Sequence, residues 1–484
     1  MGLKGGPEGA KAFLKRQYPH QFRVFDQLAS AREATLTVGA EGEGEVPMRR
    51  DQTCVLVDGN VLMMAVPGNI KTVADYADII FNYLRRDAMN AGSLVIVVFD
   101  EPEAMTWAKK EEQNLRDARR TAKDVTCSVD IAPPPLPLAF TREELHAYGD
   151  VGALRADRRY KSRVYDEVIK LVFDRIGPIL LQWASNGHHA GAVLLDGVEP
   201  RGCDLPAGEK RQPVLLGTDA EVTAAFARGE VTGEGDIKLQ IQERRLRELK
   251  ATHPAFSRYE LCLTWTIDTD SFMTLLIDVA KRRVDPYPLA VKSLFCMREP
   301  PSKREREESQ GSAKATWLCC DTQLLEHKLQ AHFWGARRGP VNPKQLLQAM
   351  LAFASATALC GCDFTSTGQK GARFDHFWES FPTFVAEEPK ALERFEMLLL
   401  NDAEKARGAV NSLLRVCYQA SRHMETKPQG SGARTTRTYK KASGEVWDVG
   451  ETMLRRSLWA ASYWALNEFE ADSQWGFSPD LTKI

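Results

Sequence analysis

Three stretches of this chain read as strands buried on both faces, and each closes on an aspartate. They are Thr53 to Val57 before Asp58, Ser93 to Phe99 before Asp100, and Cys262 to Ile267 before Asp268. Short apolar runs rich in β-branched residues, without polar alternation, suit a parallel sheet covered by helices on both sides. The predicted fold class is therefore α/β: a central, mostly parallel twisted sheet flanked by helices, with a helical insertion and a helical C-terminal part. In such a sheet the strands' carboxyl ends open on one crevice, so acids placed there converge.

Further acids join the three. Glu234 and Asp236 lie in GEGDIK, Asp270 stands beside Asp268 in TIDTD, and Asp363 lies in CGCDF. A single aspartate at a strand end is ordinarily a turn former or a helix N-cap. Seven in ordered motifs are a different matter. Asp-Thr-Asp after an extended run places both carboxylates on one side of the chain. Glu-Gly-Asp opens a helix whose amino-terminal dipole offsets some of the repulsion. Crowding that much negative charge without a cation is costly. Hard ions such as Mg²⁺ or Mn²⁺ prefer oxygen ligands, and a pair about 3.5–4 Å apart can serve both the attacking and the leaving oxygen of a phosphodiester. The expectation is metal-dependent phosphodiester hydrolysis with two ions.

The ordered series VDGN, VFD, GEGDIK, TIDTD and GCDF resembles the superfamily of flap endonucleases and 5′-to-3′ exoribonucleases over residues 1 to about 380. Met1-Gly2 and AFLKRQYP at 12–19 resemble the opening of the exoribonucleases, and Gly233, Glu234, Gly235, Asp236 and Lys238 match their Gly-Glu-Gly-acid-x-Lys signature. The resemblance implies a PIN-like nuclease core. It also implies that Asp58, Asp100, Glu234 and Asp236 hold one metal while Asp268, Asp270 and Asp363 complete the second. Nucleic acid would be the partner, single-stranded RNA favoured over flap DNA, with a structure-specific DNA flap endonuclease as the same-chemistry alternative. An inactive nucleic-acid-binding scaffold is the alternative of another class.

After Asp100 comes WAKKEEQNLRDARR, in which Lys109, Gln113 and Arg116 fall at i, i+4 and i+7 and so share one helical face. Such a face can hold a terminal 5′ phosphate, a compact dianion suited to a planar Arg fork, a Lys charge and an amide. In the exoribonucleases this face resembles the 5′-monophosphate pocket; in flap endonucleases the equivalent Lys and Arg grip the scissile phosphate. Departures bear on the substrate. Glu101 replaces the usual glycine, Asp117 follows Arg116 where a second arginine is usual so that Arg119 or Arg120 would have to substitute, and Met64 stands where the family places a stacking ring.

The formal net charge of −1 over 484 residues leaves nucleic-acid binding to local patches. One is LRADRRYKSR at 154–163, with Arg158, Arg159 and Lys161; another spans Lys427 to Lys441. Ten scattered cysteines without a C-x-x-C pair, and no signal peptide, imply a reduced intracellular protein, cytoplasmic or nuclear and not secreted. No run reaches transmembrane length.

The organisation expected is a nuclease core over 1–300, interrupted by a helical arch at about 103–175 and an irregular insert at about 186–232. A helical remainder over 315–425 carries Asp363; a linker at 426–446 precedes a C-terminal helical segment at 447–484. Asn342-Pro343 reads as the N-cap and first residue of a helix running toward Cys360.

Overall fold

The computed structural model describes residues 6–38, 45–66, 70, 72–99, 158–186, 191–196, 214–227, 235–284, 291–301, 314–335, 341–362, 374–400, 402–425 and 451–466. Ten strands are found among them: β1 (Phe22–Phe25), β2 (Leu36–Val38), β3 (Glu45–Pro47), β4 (Thr53–Asp58), β5 (Leu94–Val98), β6 (Ala192–Asp196), β7 (Val214–Gly217), β8 (Leu261–Trp265), β9 (Lys292–Glu299) and β10 (Thr316–Asp321). Eight form one sheet in the order β1-β10-β9-β8-β4-β5-β6-β7, and β2 pairs with β3 apart from it. The five strands β9, β8, β4, β5 and β6 are parallel. Antiparallel pairs close the edges at β9–β10, β10–β1 and β6–β7.

The helices, omitting single turns, are α1 (Gly6–Gln17), α2 (Leu28–Glu33), α3 (Gly59–Met64), α4 (Val73–Tyr83), α5 (Arg158–Ser185), α6 (Ala220–Ala227), α7 (Gly235–Thr252), α8 (Thr269–Arg282), α9 (Thr322–Trp334), α10 (Pro343–Leu359), α11 (Phe374–Glu387), α12 (Pro389–Arg394), α13 (Ala403–Glu425) and α14 (Glu451–Leu466). They cover both faces of the sheet, which is why β4, β5 and β8 are buried at every position. Val55, Val57, Val95 and Val97 point into a core with α3, α4 and α5. Cys54, Leu56, Ile96 and Val98 point the other way, against Leu239 and Leu246 of α7. A third and larger core joins Phe295, Met297, Leu318 and Cys320 of β9 and β10 to α1, α8, α10 and the carboxyl-terminal helices.

The stretch expected to be an irregular insert, 186–232, supplies two strands of the sheet and a helix. AVLLD and VLLG are too short to show a period. They acquire strand character by pairing, β6 alongside β5 and β7 along the outer edge. Likewise the 315–425 region opens with β10, a strand inside a segment read as helical.

Asn342 does cap α10, its side chain accepting from the Lys344 amide at 2.8 Å, and the helix ends where Gly361 takes φ +112°, a conformation costly for any residue with a Cβ. None of the helices described is long and apolar enough to cross a membrane.

Candidate active site

The carboxyl ends of β4 and β8 lie side by side, Val57 in register with Trp265. Just beyond them the backbone turns into α3 and α8, and the first acid of each motif caps its helix. Asp58 Oδ1 accepts from the amides of Asn60 (3.0 Å) and Val61 (3.4 Å), and Asp268 Oδ1 accepts from the amide of Asp270 (2.9 Å). Capping alone distinguishes neither residue. Asp321 caps α9 in the same manner, yet it ends an antiparallel strand and so lies at the opposite edge of the sheet.

What sets Asp58 and Asp268 apart is the residue between them. Thr266, fully buried, donates its hydroxyl to Asp58 Oδ2 at 3.1 Å, and the same oxygen accepts the Asp268 amide at 3.0 Å. Its own amide is satisfied by the Cys296 carbonyl of β9. One side chain therefore ties the ends of two parallel strands together and fixes Asp58 Oδ2, while the α3 amides fix Oδ1. Asp270, 7 % exposed, stands one residue into α8 beyond them. Sequence reasoning passed over Thr266; the only signal was a polar β-branched residue inside an otherwise apolar strand end.

Asp236 approaches from another helix. Lys250, in the last turn of α7, donates to the Tyr259 carbonyl (2.8 Å) and pairs with Glu260 (2.8 Å), both just before β8 begins. With its carboxyl end anchored there, α7 runs opposite to β8 and carries Gly235 and Asp236 to the carboxyl edge. Lys238, of the same motif, is fully buried. On the other flank, burial lowers the pKa of Lys11 on α1, against the opposing pull of several acids that include Asp268. This cation also went unanticipated.

The end of β5 is fitted to the same edge. Val98 is in register with Asp58, and a Cβ on Gly59 would lie 2.2 Å from the Phe99 ring, so the glycine of VDGN is demanded by close packing. Asp100, Glu234 and Asp363 lie outside the described residues, as do Lys109, Gln113, Arg116, Arg119 and Arg120. Arg158, Arg159 and Lys161 contribute backbone to the start of α5. Met64 closes α3 and is 64 % exposed.

The donor set fits a hard divalent cation in kind: carboxylate oxygens alone, that of Asp58 held by a hydroxyl and backbone amides and that of Asp268 by a backbone amide. Among the described residues no three His, Cys, Asp or Glu side chains meet as a finished cage. Fold and site together define an α/β protein with Asp58, Asp268 and Asp270 placed at the carboxyl edge of its central strands. No protein-family model matches this chain, and no curated protein aligns with it significantly.

Proposed function

We propose that this chain is a divalent-metal-dependent 5′-to-3′ exonuclease acting on the phosphodiester bonds of nucleic acid, RNA favoured. The observation that carries the reading is the Asp58–Thr266–Asp268–Asp270 hydrogen-bonded series, set at the carboxyl edge of two adjacent parallel strands with Asp236 delivered to the same edge. Asp58, Asp236, Asp268 and Asp270 would hold Mg²⁺ or Mn²⁺ together with Asp100, Glu234 and Asp363. The ions, when bound, supply charge neutralisation and a nucleophile at neutral pH. The protein's part is to orient the carboxylates, Thr266 holding that of Asp58 directly and the Asp268 backbone beside it. Lys109, Gln113 and Arg116 would receive the 5′ phosphate, and Met64 would lie against an incoming base, less rigidly than a ring.

The test offers the purified protein a 5′-phosphorylated single-stranded RNA beside a 5′-flap DNA, each with Mg²⁺ or Mn²⁺. The expected result is stepwise loss of the RNA from its 5′ end, abolished by chelator and by Asp268→Asn, which deletes a charge without changing the side chain's size. A 5′-hydroxyl RNA should be cut roughly ten- to a hundredfold more slowly, the worth of one charge-assisted hydrogen bond, and Arg116→Ala should erase much of that gap. Cleavage at the flap junction with no end preference identifies the flap endonuclease. Nucleic-acid binding without cleavage under any metal identifies the scaffold.

A further inference from the structure

At the amino end of α10 four segments enclose a cleft of about 970 Å³, within the size range of small-molecule sites. α10 is 17 residues long, roughly 25 Å at 1.5 Å per residue, and its far end is Cys360 and Gly361. The cleft is therefore separate from the carboxylate site. Lys344 of α10, Lys390 and Arg394 of α12 and Lys405 of α13 line it, against Glu393 and Glu396. Lys344 is paired with Glu396 at 3.1 Å and Lys405 with Asp402 at 2.8 Å. Lys390 and Arg394 make no ion pair among the described residues, leaving two cations directed at the cleft without a partner.

Two details show more than a chance gathering of charge. Gly408 sits inside α13, where glycine costs about 0.8–1.0 kcal/mol relative to alanine. A Cβ there would stand 3.2 Å from Arg394 Nη1, so the guanidinium lies close against the bare backbone and would shift by a few tenths of an ångström to admit a methyl group. Gln348, 2 % exposed, lines the floor. Its Nε2 donates to Glu396 Oε2 at 3.1 Å, whereas its Oε1 is buried with no donor. An acceptor left so is unfavourable, and a small turn of the amide toward the cleft would let a ligand hydroxyl satisfy it.

We propose that the cleft binds a ribonucleotide unit, its phosphate held by Lys390 and Arg394 and a ribose hydroxyl donated to Gln348 Oε1. Cations at one wall and an orphan acceptor at the floor call for a ligand that has both an oxyanion and a hydroxyl. Such a unit is either a free mononucleotide or one nucleotide of an RNA strand. The inference stands apart from the nuclease reading and survives its failure.

The experiment titrates the full-length protein in chelator, so that no hydrolysis intervenes, with AMP and separately with a short 5′-hydroxyl oligoribonucleotide. Affinity is compared among the unaltered chain, a Lys390→Ala/Arg394→Ala double variant and an Arg244→Ala control on the exposed side of α7. Lys390 and Arg394 are solvent-facing, so the fold is not at risk. The expected result is binding that weakens at least tenfold in the double variant and is unchanged in the control. Loss for AMP assigns the free nucleotide; loss for the oligonucleotide alone assigns the strand. A 2′,3′-dideoxy analogue should bind more weakly than AMP if the nucleotide is free. No binding of either ligand at millimolar concentration, or equal affinity of the double variant, overturns the proposal.

Discussion

Thr266 shows how much one hydroxyl decides. It supplies a hydrogen to Asp58 and a lone pair to the Asp268 amide, and it is fully buried while doing so. Thr266→Val keeps the shape but removes both interactions, the hydrogen bond to Asp58 Oδ2 and the acceptor of the part-buried Asp268 amide. The expected loss of stability is about 1–3 kcal/mol, read from denaturant unfolding. If the carboxylates hold metal, Mn²⁺ affinity should drop by roughly ten- to a hundredfold, the usual effect of losing a group that orients a ligand. Thr266→Ser, which keeps the hydroxyl, should recover most of the affinity. Equal Mn²⁺ binding by the Val and Ser variants would remove Thr266 from the site.

Between elements, the spacing of the acids depends on a buried ionic group two turns below them. Glu243 and Arg247 of α7 face Asp278 and Arg282 of α8, and all four are nearly inaccessible to solvent. Arg247 Nη1 lies 3.0 Å and Arg282 Nε 2.7 Å from Asp278 Oδ2, while Arg282 and the Ser293 hydroxyl of β9 both donate to Glu243 Oε1. Two charges of each sign cancel. The group thus joins the helix that carries Asp236 to the helix that carries Asp270 and to the sheet. Burial by itself would raise the Asp278 pKa, but Arg282 and Arg247 overcome it and hold the carboxyl well below its ordinary range. A depressed folded pKa means that the stabilisation is complete above the unfolded value, about 3.9, and is lost as the pH falls from there toward the folded value. Asp278→Asn should therefore destabilise the protein by about 3–5 kcal/mol at neutral pH and flatten the decline in stability below about pH 4. Unfolding curves at pH 7 and pH 3 check this; an unchanged acid slope would contradict the assignment.

At the scale of the whole molecule, the carboxyl-terminal helices belong to the main core. Trp459 and Trp464 of α14 are buried to within 1 % and Tyr463 to within 2 %, stacked in part as a pair with ring centroids of Trp459 and Tyr463 4.8 Å apart. Lys281, at the end of α8, donates to the Ala465 carbonyl and ties α14 to the helix that begins at the site. Trp464→Ala should cost about 3–5 kcal/mol by leaving a cavity that the surrounding helices cannot fill. Removal of residues 447–484 should lower the melting temperature and expose enough apolar surface to bind a hydrophobic dye. A truncated protein that melts like the full chain would show α14 to be an appendage.

How much of this was legible in the amino-acid order depends on the range of the interactions concerned. The β4, β5 and β8 strands, the helix that opens at GEGD and the Asn342 cap are marked by runs and caps within a few residues, and these signals are local. Acid placement at strand ends was readable for the same reason, since a parallel sheet converts position in a motif into position at an edge. Short strands β6, β7 and β10 carry no such mark, because what makes them strands is a neighbour far away in the chain. Thr266 linking the Asp58 carboxylate to the Asp268 amide, Arg394 seated against Gly408, and the neutral ionic group between α7 and α8 were likewise decided only in three dimensions. Each depends on partners from different elements meeting within hydrogen-bonding or van der Waals distance, and a linear pattern does not encode that meeting.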